Sequence, residues 1–389
     1  MDGTIENGVV AFDWFEGSGC VRWTNESHEW FAELERSQTT ARESHHLAAV
    51  TIGERELVIY GGGIGSGRQS RLEYRLEWQG VTIALSARES KSRQLSNYYF
   101  KIPGTACLLI GAEQARDVVH EIVGRLGGEL FDEWFKRFDV CLDLPGVNIR
   151  EQLIPAIENA QFMQSAKEWQ LFVGNQGKTG FAVGNRKNVR LNVYDKFCEV
   201  SKKSPEYLEA MKARRWGGHL PSAATRVEYT ITKSWLDRFG ISNSGSAIEK
   251  LPEVMTRLLD GPYVFFRMTE LPLPKGTRNQ GRVPTLPLWA QIADHFKEHA
   301  GNPKSELQPI RHGEISLSRL YATVRGYITS AAVQMRMPIE CFDDAIAVVR
   351  ELHKRNESTD DDWQQAFKVK ARKSGLLEEM TAFPFGRAA

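Results

Sequence analysis

Three short runs gather the residues best suited to chemistry. In VRLNVYDKFCE (Val189 to Glu199), alternation puts Leu191 and Val193 on one face of an extended chain and Arg190, Asn192 and Tyr194 on the other. KRFDVCLDL places Asp139, Cys141 and Asp143 opposite Phe138, Val140 and Leu142. ATRVEYTIT places Arg226, Glu228 and Thr230 opposite Val227, Tyr229 and Ile231. Carboxylates of this kind bind a hard cation such as Mg²⁺ or Mn²⁺ through oxygen, the cation polarises a phosphodiester, and arginine forks hold the phosphate. A tyrosine hydroxyl, with a pKa of ~10, needs such neighbours before it can attack phosphorus. Taken singly, each residue has an ordinary reading: a surface ring, an exposed strand face, a cross-strand ion pair.

The elements that must position these residues can be read from pattern. Before about residue 110 the chain is mostly strand: ELVIY, RLEYRLEW and VTIALS are short, β-rich runs punctuated by glycine, and the last two form a hairpin through Gln79-Gly80. Val118, Ile122 and Leu126 recur at helical spacing, and Gly127-Gly128 stops that helix. Asn148 with Glu151 starts another helix, which runs to about Ala160 and is bent or reset by Pro155. WQLFVG, TGFAVG and the tyrosine run make a three-strand meander, and Ser204-Pro205-Glu206 opens a helix that ends near Gly217-Gly218. Residues 271–287, rich in proline, glycine and basic groups, read as a linker, and periodic apolar residues beyond them as a helical unit. The expected fold class is α+β: a mixed, largely antiparallel sheet with helices on one face, followed by a smaller C-terminal helical region. The expected division is a 1–240 catalytic domain in two halves (1–130 and 131–240), an extension and linker over 241–300, and a helical region over 301–389 for DNA docking or assembly.

Composition narrows the class. The chain has 389 residues, with apolar and charged fractions ordinary for a globular protein. No apolar run approaches the ~20 residues of a membrane span, and the start MDGTIENG lacks the parts of a signal peptide, which points to a cytoplasmic protein with no membrane partner. Five scattered cysteines favour neither a disulfide framework nor a zinc site. GGGIGSG cannot supply the dinucleotide glycine spacing, and GNQGKTG has Phe172 where a phosphate loop needs its first glycine. The nine histidines form no HxH, HExxH or HxxR arrangement. The net charge of +1 hides a local bias: between Lys178 and Lys233, twelve basic residues face five acids, an excess of seven that suits a polyanion.

The order RFDVCLD, GKTGFAVGNRKNVRLNVYDKFCE and TRVEYTIT resembles the replication initiation factors of the Rep_trans type, the rolling-circle initiators of plasmids and filamentous phages and related relaxases. The opening AFDWFEG resembles that family's first strand, so the resemblance covers about residues 11–240. It implies Tyr194 as a nucleophile toward DNA, a metal held by some of Asp139, Asp143, Asp195 and Glu228, and phosphate contacts from Arg190, Lys196 and Arg226. Arg186 and Lys187, in a turn that departs from the family's usual small residues, would add DNA contacts. The implied activity is metal-dependent DNA nicking and joining at a replication origin presented as a single strand or hairpin, with a host helicase and a homodimer among the family's associations. Three alternatives stay open: a relaxase with the same chemistry, a non-catalytic origin-binding regulator, and a nuclease that uses water.

Overall fold

The computed structural model describes residues 8–65, 72–90, 95–175, 177–260, 264–273, 282–309, 317–356 and 359–373. The chain divides into two compact units, Met1–Leu307 and Gln308–Ala389.

In the first unit, β1 (Val9–Trp23) leads through α1 (Ser27–Ser44) to a meander of β2 (Ala48–Ile52), β3 (Arg55–Ile59), β4 (Tyr74–Trp78), β5 (Val81–Leu85) and β6 (Tyr98–Ile102). Next come α2 (Gly104–Leu109), α3 (Ala112–Arg125) and the long β7 (Gly128–Pro145). The short helices α4 (Ile149–Gln152) and α5 (Ile154–Glu158) precede β8 (Phe162–Gln164) and a second meander, β9 (Trp169–Gly174), β10 (Gly177–Gly184) and β11 (Val189–Asp195). They are followed by α6 (Lys196–Val200), α7 (Pro205–Arg215), β12 (Ala224–Thr232), α8 (Lys233–Leu236), α9 (Ser244–Glu249), α10 (Leu251–Leu259), β13 (Phe266–Met268) and α11 (Pro287–Ala300). Eleven strands form one sheet in the order β2-β3-β4-β5-β6-β1-β7-β12-β11-β10-β9, and its pairings are antiparallel. The architecture is therefore α+β, with β1 and β7 as the central seam that joins the two meanders.

Local chemistry explains the boundaries. Gln79 and Gly80 both take positive φ (45° and 80°), the turn whose twist matches paired strands. Gly127, at φ 77°, lies just beyond the end of α3. The helix expected from Asn148 breaks into α4 and α5 at Leu153, because Pro155 cannot donate a backbone bond; the Asn148 side chain caps the first piece through the Arg150 amide. Ser204 caps α7, with Pro205 in its first turn.

The core lies on one face, where Phe15, Tyr98, Phe100, Phe138, Val140, Leu191, Val227 and Tyr229 meet the inner faces of the helices. Within the span expected as extension and linker, α11 instead packs into this core: Trp289 and Phe296 are fully buried, and the Phe296 ring lies 5.6 Å from that of Tyr229. Burying one such phenylalanine contributes roughly 1.5–3 kcal/mol, which is why a basic, proline-rich flank does not make this segment a tether. Thr269 and Thr285 form a bridge across the stretch, and residues 274–281 of the expected linker lie outside the described residues.

The second unit contains α12 (Leu317–Met335), α13 (Phe342–Arg355) and α14 (Asp360–Lys373). Asp344 caps α13 by accepting the amides of Glu340 and Cys341, which holds its carboxyl below the usual range. Ala332 and Val348 are buried, while Tyr327 and Val333 are exposed. No helix among the described residues is long and apolar enough to cross a membrane.

Candidate active site

Residues directly opposite in an antiparallel pair share a face, so the register fixes which side chains meet. The pairs Tyr194↔Arg226, Asn192↔Glu228, Arg226↔Asp143 and Thr230↔Asp139 bring the three polar faces together on the side away from the core. A cleft of about 610 Å³ opens there, with Tyr194, Glu228, Asp139, Lys196, Asp13 and Arg137 in its walls; Trp14, Glu199 and Tyr207 also line it. Ala224, Leu108, Val200, Met211 and Trp216 form a small apolar cluster that anchors α2, α6 and α7 around it.

The Tyr194 hydroxyl donates to Glu228 Oε2 at 3.4 Å, and Asn192 donates to the other oxygen of Glu228 at 3.4 Å. Lys196 Nζ lies 5.6 Å from the Tyr194 ring centroid and 2.6 Å from Glu199 Oε2. Burial pushes the Tyr194 hydroxyl well above its ordinary value; Arg226 opposes the shift, while Glu228 and Glu199 add to it. Burial, then the charges of Asp139 and Asp13, push Glu228 up to about 7, against the pull of Arg226 and Lys196. Burial also raises Asp139, although Arg137 binds both of its oxygens.

Several expected residues sit elsewhere. Arg226 is fully buried and directs Nε and Nη2 to the two oxygens of Asp143, at 2.8 and 2.7 Å, with Nη1 2.8 Å from Asp13. Burial works against its charge, but Asp13 and Asp143 hold it protonated. The pair therefore forms a brace beneath the cleft: Arg226 is spent on carboxylates rather than open to phosphate, and Asp143 is spent on Arg226 rather than open to a metal. Asp195 points away from Tyr194, as alternation requires; it caps α6 through the Cys198 amide at 2.8 Å and lies 3.4 Å from Arg150. It is not part of the cleft wall.

Arg186 and Lys187 are exposed in the turn that opens β11, at the opposite end of that strand from Tyr194. Arg190 bonds to Asn192 at 2.8 Å and Gln170 at 3.3 Å, nearer that turn than the cleft. Arg186, Lys187 and Arg190 thus lie toward that turn, while Lys196 and Lys203 line the cleft with Tyr194.

The residue that the reasoning by alternation passed over is Asp13. A register shift between Phe12 and Trp14 interrupts the pairing of β1 with β7 at this position. Strict alternation cannot place a bulged residue; the available signal was the aspartate within AFDWFEG. Arg137, two residues before Asp139, was likewise missed.

Asp13, Asp139 and Glu228 supply only oxygen donors, the kind that suits Mg²⁺ or Mn²⁺. Among the described residues, no three metal-ligating side chains converge closely enough to form a ready-made ion site. Burial first, and then the charges of Asp139 and Asp13, lift Glu228, and the second of these causes is one that a positive charge would relieve.

No protein-family profile and no curated protein matches the chain. Among solved structures, a rolling circle replication initiator protein from Geobacillus stearothermophilus aligns over 78% of this chain and 100% of its own, at 11% identity and a TM-score of 0.43. DynU16, a protein of the dynemicin biosynthetic locus, aligns over 56% of this chain and 86% of its own, at 14% identity and a TM-score of 0.17. Neither likeness carries weight for the chemistry of the cleft, which rests on its own residues.

Proposed function

We propose that this protein nicks and rejoins DNA through Tyr194 and that the reaction initiates rolling-circle replication of a plasmid or phage genome. The observation that carries the reading is the Tyr194 hydroxyl, 3.4 Å from the raised carboxylate of Glu228 in a cleft that also holds Asp13, Asp139 and Lys196. The ordered motifs of the sequence support the same chemistry.

Tyr194 Oη forms a bond to phosphorus as the bond from phosphorus to the 3′ oxygen breaks. The phenolic proton passes to Glu228, whose pKa near 7 suits a base at neutral pH. The departing 3′ oxygen takes a proton from water, leaving a 3′-hydroxyl primer and a 5′-phosphotyrosyl link. The number of phosphoester bonds is unchanged, so rejoining needs no ATP. Asp13 and Asp139 would hold Mg²⁺ or Mn²⁺ once Arg137 turns off the two Asp139 oxygens, and the cation when bound supplies charge neutralisation at the phosphate, with Glu228 left as the base. Lys196, 5.6 Å from the ring centre and held by Glu199, keeps a positive charge beside the nucleophile. The partner is origin DNA, single-stranded or extruded as a hairpin, because an in-line attack requires a phosphodiester freed from the duplex. In this reading residues 1–240 carry the chemistry and the C-terminal helices serve docking or assembly, with a host helicase following the nick and a homodimer as the acting form.

The test is incubation of the purified chain with Mg²⁺ or Mn²⁺ and supercoiled DNA carrying the surroundings of its own gene. A covalent protein–DNA adduct with the wild type and none with Tyr194→Phe is expected. An adduct that survives in Tyr194→Phe, or none with the wild type under either cation, overturns the reading.

A further inference from the structure

The face that carries Tyr194 does not end at the cleft. The register Trp14↔Asp139, Glu16↔Lys101, Thr82↔Lys101, Ala84↔Tyr99 and Arg75↔Ala84 continues the same face across β1, β6, β5 and β4. Tyr60, just beyond β3, joins it: its amide bonds to the Arg75 carbonyl and its hydroxyl donates to Glu77 Oε2 at 2.6 Å. Each aromatic ring on this face has a cation against it. The Arg137 guanidinium lies 4.8 Å from the centre of the Trp14 ring, Lys136 Nζ 4.9 Å from that of Tyr99, and the Arg75 guanidinium 3.8 Å from that of Tyr60. The strand between Tyr99 and Arg75 contributes only Thr82 and Ala84, both buried beneath their neighbours, so the rings and their cations form the outer surface here. Trp14 and Arg137 also line the cleft, which makes the surface continuous with the proposed reaction centre.

We propose that this half of the sheet is a track for single-stranded DNA on one side of the phosphate that Tyr194 attacks. The inference rests on the nicking reading and extends it to the substrate. From β1 to the strand that Tyr60 extends is four strand spacings, about 19 Å, which about six stacked nucleotides span at roughly 3.4 Å each. Rings paired with cations are the surface on which unpaired bases stack. A duplex hides its base faces and would offer this surface only phosphates. The surface is a poor match for those, because its four cations (Arg75, Lys101, Lys136 and Arg137) are nearly offset by Glu16, Glu77 and Asp139. The Tyr60 hydroxyl is taken up by Glu77, which leaves the ring rather than the hydroxyl for a base. Stacking rather than charge therefore carries the binding.

The test uses the full chain as Tyr194→Phe, without divalent cation, and follows the fluorescence anisotropy of a labelled 12-nucleotide DNA strand, its duplex, and the RNA of the same sequence. Adding Tyr60→Leu or Tyr99→Leu is expected to weaken single-strand binding by roughly 5- to 100-fold per ring, with little change in salt dependence. Tyr60→Phe and Tyr99→Phe, which keep the rings, are expected to bind like the parent and so separate stacking from misfolding. Unchanged affinity in the leucine variants, loss in the phenylalanine variants, or preference for duplex or RNA overturns the track. Failure of the two readings is distinguishable. A wild type that forms no covalent adduct while its ring variants lose single-strand binding refutes the nicking alone. An adduct alongside fully binding leucine variants refutes the track alone.

Discussion

Arg226 closes two nitrogens on the two oxygens of Asp143, at 2.8 and 2.7 Å, with both side chains fully buried. The pair joins β12 to β7 directly beneath the cleft, and its remaining nitrogen reaches Asp13 at 2.8 Å. Removing Asp143 strips two buried Arg226 nitrogens of their carboxylate and leaves only Asp13 beside the guanidinium. Asp143→Ala is therefore expected to destabilise the first unit by about 3–5 kcal/mol, read as a lower urea midpoint. A midpoint within experimental error of the wild type would contradict the brace.

Glu228 links pH to both activity and stability, with opposite signs. Its carboxyl is raised to about 7, so as a base it gains activity as pH rises through 7. For the fold, a raised carboxyl contributes stability that is complete below its ordinary value of 4.5 and is lost as pH rises through about 7. The adduct-forming rate is expected to rise across pH 6–8 while the chemical-denaturation midpoint falls slightly. Glu228→Gln should flatten both profiles and slow adduct formation by roughly 10²–10⁴-fold. A midpoint that climbs over the same interval in the wild type, and not in the variant, would reverse the assigned sign.

Glu133 provides the contrasting case, away from the cleft. Burial alone would raise it, but His120 at 2.8 Å, Arg116 at 2.6 Å and Ser244 at 2.7 Å together hold it down to about 2. A depressed carboxyl contributes stability that is present above 4.5 and is lost as pH falls from there through about 2. Acid unfolding of Glu133→Gln is accordingly expected to be shallower than that of the wild type between pH 4.5 and 2, from a lower stability at neutral pH. Parallel acid curves would remove Glu133 from the account.

What the sequence made legible follows from period and distance. The faces of β7, β11 and β12 could be read because alternation is local, and the caps at Asn148 and Ser204 because they act within three residues. The partners of those faces could not. Arg226 looks like a surface arginine until its register opposite Asp143 is known, and that pairing joins positions 83 residues apart. Asp13 was hidden by the bulge that interrupts the alternation of β1, and Asp195, implied as a ligand by the resemblance, is turned away because a strand sends neighbours to opposite sides. The burial of α11 depended on a core face assembled from both meanders, which no window around Pro287 contains.

Gly180 faces Tyr194 directly across the β10–β11 pair, and space rather than backbone angle accounts for the glycine. A Cβ built there would lie 2.5 Å from the Val193 carbonyl oxygen and 2.9 Å from the Tyr194 Cα, contacts that only movement of β11 could relieve. Since the Tyr194 hydroxyl meets Glu228 at 3.4 Å, a small displacement of that strand would separate nucleophile from base. Proton transfer depends steeply on that separation, whereas β11 keeps its pairing with β12 and its apolar face of Leu191 and Val193. Gly180→Ala is thus expected to cut adduct formation by about 10²-fold while moving the unfolding midpoint far less than Asp143→Ala does. Gly180→Ser, which carries the same Cβ, should behave alike. A variant that keeps full nicking activity would show that the close approach of β10 does not set the position of Tyr194.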